Sequence, residues 1–143
     1  MATLRKSIVV HAPVEKIFAY MNDPNNLPEI WPSMVEVKDA KSLPNGGVWF
    51  KFFYKMAGIR LEAISEDTEF VLNQRTVSKT IGGIDGLTTL TYETVQGGTR
   101  VTLEMEYSVP IPVVGKLAEA VILKLNDQEG DTLLANLKTR MEG

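Results

Sequence analysis

The run Gly47-Val48-Trp49-Phe50-Lys51-Phe52-Phe53-Tyr54-Lys55-Met56 carries the densest chemical information in this chain. Alternation puts Val48, Phe50, Phe52, Tyr54 and Met56 on one face of a strand, and Trp49, Lys51, Phe53 and Lys55 on the other. The lysines assign the second face to water, so an aromatic row points inward. Such a row holds an apolar molecule by burying ring area; a packed core uses the same residues. Trp49 and Phe53 on the outer face suit contact with a second copy of the chain.

Acid–base and nucleophilic chemistry find little support. His11 is the only histidine, and its parity opposes that of Ile8 and Val10, which places it on the surface at a strand end. Glu104 and Glu106 share a face, as an acid–base pair requires, but that face is the solvated one. Ser7, Ser33, Ser42, Ser65, Ser78 and Ser108 lack a glycine elbow and a base other than His11. One histidine and no cysteine make a metal centre an unfavourable reading, and no cofactor is expected. Gly82-Gly83-Ile84-Asp85-Gly86 lacks the lysine and following helix of a phosphate cradle. It reads as a hairpin loop near a cavity mouth.

Composition narrows the class further. The chain has 143 residues, 44% hydrophobic and 23% charged, with a formal net charge of −3. That length suits one domain over 1–143. The 15 basic residues are scattered among 18 acidic ones, which argues against nucleic acid, whose binders concentrate positive charge. No stretch approaches the roughly 20 apolar residues of a membrane span, and the first residues lack a signal-peptide pattern. A cytoplasmic location is expected.

The elements that must position these residues follow from period and punctuation. A β-branched strand over 4–11 ends at Ala12-Pro13, with Pro13 placed in the first turn of a helix carrying Val14, Ile17, Phe18 and Met21. Asp23-Pro24-Asn25-Asn26 breaks that helix, and a short turn over 27–31 follows. Period-two patterning then predicts strands at 34–40, 47–57, 59–67, 69–80, 87–95 and 99–108, separated by turn signals that include Glu66-Asp67. Short connections imply an antiparallel meander.

Parity places Leu61 and Ala63 inward, then Phe70, Leu72, Gln74 and Thr76. On the last two strands it turns Leu90, Tyr92, Val101, Leu103, Met105 and Tyr107 inward. Gln74 and Thr76 would be polar groups inside the concavity.

A final helix is predicted over 113–142. Its first half groups Leu117, Ala118, Val121, Ile122 and Leu125 on one face; its second groups Leu133, Leu134, Leu137 and Met141 on a face rotated away. The favoured explanation has Gly130 packing closely on the sheet while the first half roofs a cavity. A simple bend near 126–130 is the alternative. A twisted sheet curls around such a helix, and one helix does not fill the concavity.

Several segments together resemble the START-like, helix-grip (SRPBCC) superfamily, and within it the polyketide cyclase/dehydrase and lipid-transport group. They are Ile8-Val9-Val10-His11-Ala12-Pro13-Val14-Glu15-Lys16-Ile17-Phe18, Trp31-Pro32, Gly98-Thr99-Arg100-Val101-Thr102-Leu103 and Leu134-Ala135-Asn136-Leu137-Lys138. The resemblance implies an α+β helix-grip fold: a curved seven-stranded antiparallel sheet, with two short helices after strand 1, wrapped around a long C-terminal helix.

The expected function is binding of a small hydrophobic molecule, such as a lipid, a polyketide or a similar ring compound, between sheet and helix. The expected lining is Trp31, Phe50, Phe52, Tyr54, Leu61, Leu72, Gln74, Tyr92, Leu103, Met105, Leu117, Val121 and Leu125. One alternative is a cyclase/dehydratase-type enzyme that confines a reactive chain, with Tyr54, Tyr92 and Gln74 as hydrogen-bond partners. Another is a protein-interaction module like the chaperone-activator relatives. A homodimer through the outer face of Trp49 and Phe53 is the partner expectation beyond the ligand.

Overall fold

Alternating side chains and short turns close into one antiparallel sheet, as a computed structural model describing residues 2–56, 58–108 and 116–143 shows. The elements are β1 (Ala2–Val10), α1 (Val14–Met21), a 3-10 turn (Pro24–Asn26), α2 (Leu27–Ile30), β2 (Met34–Ser42), β3 (Val48–Met56), β4 (Ile59–Val71), β5 (Arg75–Gly82), β6 (Asp85–Val95), β7 (Gly98–Ser108) and α3 (Lys116–Glu142). The sheet order is β1-β7-β6-β5-β4-β3-β2. After β1 the chain crosses through α1 and α2 to the opposite edge, then meanders back until β7 pairs with β1. Seven strands, two short helices and a long C-terminal helix make this the helix-grip architecture. Among the described residues no helix is long and apolar enough to cross a membrane.

Pro13 proves to be the N-cap of α1, at φ −64° and ψ 146°, rather than a residue of its first turn. The turn expected at Glu66-Asp67 is absent: β4 runs on to Val71, and the reversal falls at Leu72-Asn73-Gln74. There Asn73 takes φ +60°, a left-handed conformation that asparagine tolerates, and Gln74 N–H donates to the Val71 carbonyl at 3.0 Å. What the sequence suggested as a turn is a β-bulge, where the β4–β5 register slips between Asp67 and Glu69. A bulge re-aims the side chains beyond it. Leu61, Ala63, Ser65 and Asp67 point inward before it, whereas Phe70 turns inward after it. Phe70 and Thr76 do face inward as alternation expected, but Leu72 and Gln74 between them do not, because both lie in the turn and are exposed, Leu72 by 64%.

The helix α3 is uninterrupted over its described length; residues 113–115, predicted as its start, lie outside the described residues. Its buried stripe runs Ile122, Asn126, Gly130, Leu133, Leu134, Leu137 and Met141. The two apolar faces inferred from sequence are thus joined by a polar residue and a glycine within one unbroken helix. A Cβ on Gly130 would lie 3.4 Å from Lys6 Cγ and 3.5 Å from Leu4 Cδ1, so the helix does approach β1 closely there. Leu117 and Val121 fall one residue off the stripe, about 100° round the helix, and are 89% and 49% exposed. They do not roof the sheet.

Candidate functional site

The concave face of the sheet, α1, α2 and α3 leave two adjoining hollows. The larger has a volume of about 80 Å³ and the smaller about 40 Å³, where a single water needs roughly 10–15 Å³. Trp31, Phe52, Thr80 and Thr88 line both and form the partition.

The larger hollow has two unlike walls. The apolar one combines Phe18 and Met21 of α1, Leu27 and Trp31, Phe50 and Phe52 of β3, Leu90 and Tyr92 of β6, Leu103 of β7 and Leu133 of α3. Phe18 meets Phe70 and Tyr92 edge-on at centroid distances of 5.4 and 5.1 Å, the arrangement that ring quadrupoles favour. The other wall is polar: Ser65 and Asp67 from β4, Thr76, Ser78 and Thr80 from β5, and Thr88 from β6. Register lines up Asp67, Ser78 and Thr88 as one row across three strands.

Asp67 is the charged group of this wall and is only 7% exposed. Its Oδ1 accepts from Ser78 Oγ–H at 2.7 Å and its Oδ2 from Val48 N–H at 2.9 Å. Burial pushes its carboxyl above the usual carboxylate range, and those two hydrogen bonds oppose the rise. The side chain sits hard against the β2–β3 hairpin, where a Cβ on Gly47 would lie 2.4 Å from Asp67 Cβ. Glycine at 47 is therefore what lets a carboxylate reach this position.

Trp31 is held from both sides. Asn136 Nδ2 donates to the Ile30 carbonyl at 3.0 Å. The Ser33 N–H and Oγ–H donate to the two carboxylate oxygens of Glu129 at 2.7 and 2.5 Å. The smaller hollow is bounded by Tyr54, Met105, Tyr107, Ile84, Ile122 and Asn126 among others. Tyr54 O–H donates to Asn126 Oδ1 at 2.8 Å, which explains a polar residue in the buried stripe of α3. Burial pushes the Tyr54 and Tyr92 hydroxyls far up, with the negative charge of Glu129 adding to the first and that of Asp67 to the second.

Of the residues expected to line the site, the structure brings Trp31, Phe50, Phe52, Tyr54, Tyr92, Leu103 and Met105 to one or both hollows. Six others stand elsewhere. Leu61 is buried but lines neither hollow, and Leu125 packs half-buried against the core. Leu72 and Gln74 are exposed in the β4–β5 turn, and Leu117 and Val121 face water for the helical reason given above.

The polar wall was largely missed, although Thr76-Val77-Ser78-Lys79-Thr80 held its signal. With Lys79 outward, the inward set is all hydroxyl, which no ordinary core strand offers. The glycine loop contributes Ile84 and Gly86 to the smaller hollow.

His11 lines neither hollow. It is exposed, its backbone N–H donates to Glu142 Oε2 at 2.8 Å, and its Nδ1 lies 3.2 Å from the Gly97 carbonyl. Among the described residues no three carboxylates or histidines cluster as a metal site would require. The outer rings are covered by cations of their own chain. Lys41 Nζ lies 4.8 Å from the Trp49 ring, and Lys38 and Arg60 lie 5.2 and 4.3 Å from the Phe53 ring.

The family model for polyketide cyclase / dehydrase and lipid transport matches residues 1–142. The chain belongs to this family. In this family member the matched region includes every residue that lines the two hollows. Its fold is shared with an aromatase/cyclase, Zhui, from Streptomyces sp. R1128, at TM-score 0.82 and 11% identity, covering 99% of this chain and 93% of that one. A START superfamily protein from Mycobacterium smegmatis gives 0.78 at 16% identity, covering 98% and 97%. The Aha1 dimer from Colwellia psychrerythraea gives 0.71 at 15%, covering 99% and 97%. No curated protein sequence matches the chain.

Proposed function

We propose that this family member binds a small, largely apolar molecule between the sheet and α3, acting as a binder or carrier. The observation that carries the reading is the larger hollow, whose apolar wall draws side chains from the helices α1, α2 and α3 and from the strands β2, β3, β6 and β7. A site of that make-up binds by removing apolar ligand surface from water, with a few polar groups fixing orientation. The family description, which includes lipid transport, points the same way. The partition matters for size: a rotation of Trp31 would merge the two hollows into one longer chamber, suited to a ring compound or a short acyl chain.

The test is native mass spectrometry and organic extraction of the purified protein, beside a filled variant, Thr88→Phe, which places a ring at the partition. The expected result is a co-purifying apolar molecule, or uptake of an environment-sensitive dye, reduced about tenfold or more by the filling. A protein that carries nothing and takes up no apolar probe would sink the proposal.

A further inference from the structure

Among the described residues lining the two hollows there is no lysine, arginine or histidine. The charges present are Asp67 in the polar wall and the exposed Glu106 at the smaller hollow. Both are negative. Each Asp67 oxygen receives one hydrogen bond, from Ser78 or Val48, while a carboxylate oxygen can accept two. Tyr92 lines the same hollow, and its hydroxyl feels the negative charge of Asp67.

We propose that Asp67 sets ligand selectivity, so that the site takes a neutral or cationic apolar molecule bearing an O–H or N–H donor and rejects anions of the same skeleton. This rests on the binding function proposed above. A buried anion beside Asp67 would find no counter-charge and would meet like-charge repulsion in a low-dielectric setting. A hydroxyl or ammonium group instead donates to the open acceptor positions of Asp67, and a hydroxyl can also accept from Tyr92. Hydrogen bonds to a charged acceptor are the strong kind.

Four compounds of one skeleton test this: methylnaphthalene, naphthalenemethanol, naphthylmethylamine and naphthoate, with affinities measured at neutral pH by calorimetry. The expected order places the alcohol and amine about 10-fold or more tighter than the hydrocarbon, and naphthoate weaker than the hydrocarbon. Asp67→Asn should abolish the amine's advantage and improve naphthoate, whereas Ser78→Ala, which keeps the charge, should retain the amine preference.

If naphthoate binds as tightly as the alcohol, or the folded Asp67→Asn protein keeps the wild-type order, the selectivity proposal is overturned while the binding function stands. Failure of all four compounds, methylnaphthalene included, removes the binding function and the selectivity with it. Should Asp67→Asn not fold by circular dichroism, the wild-type order and Ser78→Ala decide.

Discussion

The two halves of α3 share one helix but not one environment. In the C-terminal half, Leu133, Leu134, Leu137 and Met141 are all at most 7% exposed, and the end is tied to the rest of the fold by polar contacts. Lys138 Nζ donates to the Val9 carbonyl at 3.0 Å and Lys16 Nζ to the Met141 carbonyl at 2.7 Å. Among the described residues of the N-terminal half only Ile122 and Asn126 are buried, and they border the smaller hollow. The difference teaches that one helix serves two purposes here: its far end supplies core, reaching the larger hollow through Leu133, while the buried residues of its near end only border the smaller one. Substitutions should therefore affect stability steeply in one half and weakly in the other.

The largest expected effect is at Leu137, which is completely buried. Leu137→Ala removes the side chain and leaves a cavity among neighbours that collapse only partly, so denaturant unfolding should show a loss of about 2–5 kcal/mol. A loss below about 1 kcal/mol would break the contrast, because it would mean that the C-terminal half is no better packed than the near end.

Gly130, at the junction of the two halves, sharpens the comparison with the opposite sign. Glycine inside a helix costs about 1 kcal/mol relative to alanine, and the Cβ of an alanine would make ordinary contacts at 3.4 and 3.5 Å. Gly130→Ala should stabilise by roughly 0.5–1 kcal/mol, read as a raised denaturation midpoint. Gly130→Leu should reverse that gain, since a larger side chain must displace Lys6 and Leu4.

A pH titration tests how the C-terminal end is pinned. The His11 N–H first, and the Lys138 ammonium second, hold the Glu142 carboxyl below the usual carboxylate range. A depressed folded-state value means that the unfolded chain takes up the proton more readily. The contribution is present above the unfolded value of 4.5 and is lost as pH falls through the lower folded one. Asp67, with its folded value raised, carries the reverse sign: protonating it favours the native state. The protection factors of the last-turn amides of α3, taken relative to intrinsic exchange at each pH, should therefore fall in acid, and Glu142→Gln should flatten that dependence. An unchanged profile would show that the Glu142 contacts do not hold the end.

The contrast also explains what was legible in the sequence. The succession of strands and the inward faces of β3, β6 and β7 were readable because period two survives there, and the short helices from their helical spacing and proline punctuation, whereas the pairing of β1 with β7 was not read. In β4 one extra residue at the bulge reverses parity, and bulges leave no local mark beyond the residue types around them. Asp67 was misread for that reason: an acidic pair looks like a turn until the partners that bury it, Val48 and Ser78, are brought in from other strands. On α3 the apolar residues were counted but the stripe was not, because Asn126 and Gly130 occupy two of its core positions. Asn126 is there for the Tyr54 hydroxyl, a need that arises only in three dimensions, whereas the close approach at Gly130 was expected.

The smallest expected effect is the most pointed. Leu117 is apolar and at helical spacing with Val121 and Leu125, so sequence alone makes it core, yet 89% of it is exposed. A side chain that already faces water has little transfer free energy to lose, and alanine is the better helix former. Leu117→Ala should therefore shift stability by no more than about 0.5 kcal/mol and leave ligand uptake unchanged, measured beside Leu137→Ala in the same titration. If Leu117→Ala instead destabilises by 2 kcal/mol or more, the near end of α3 is packed as core, and the division of labour between its halves fails.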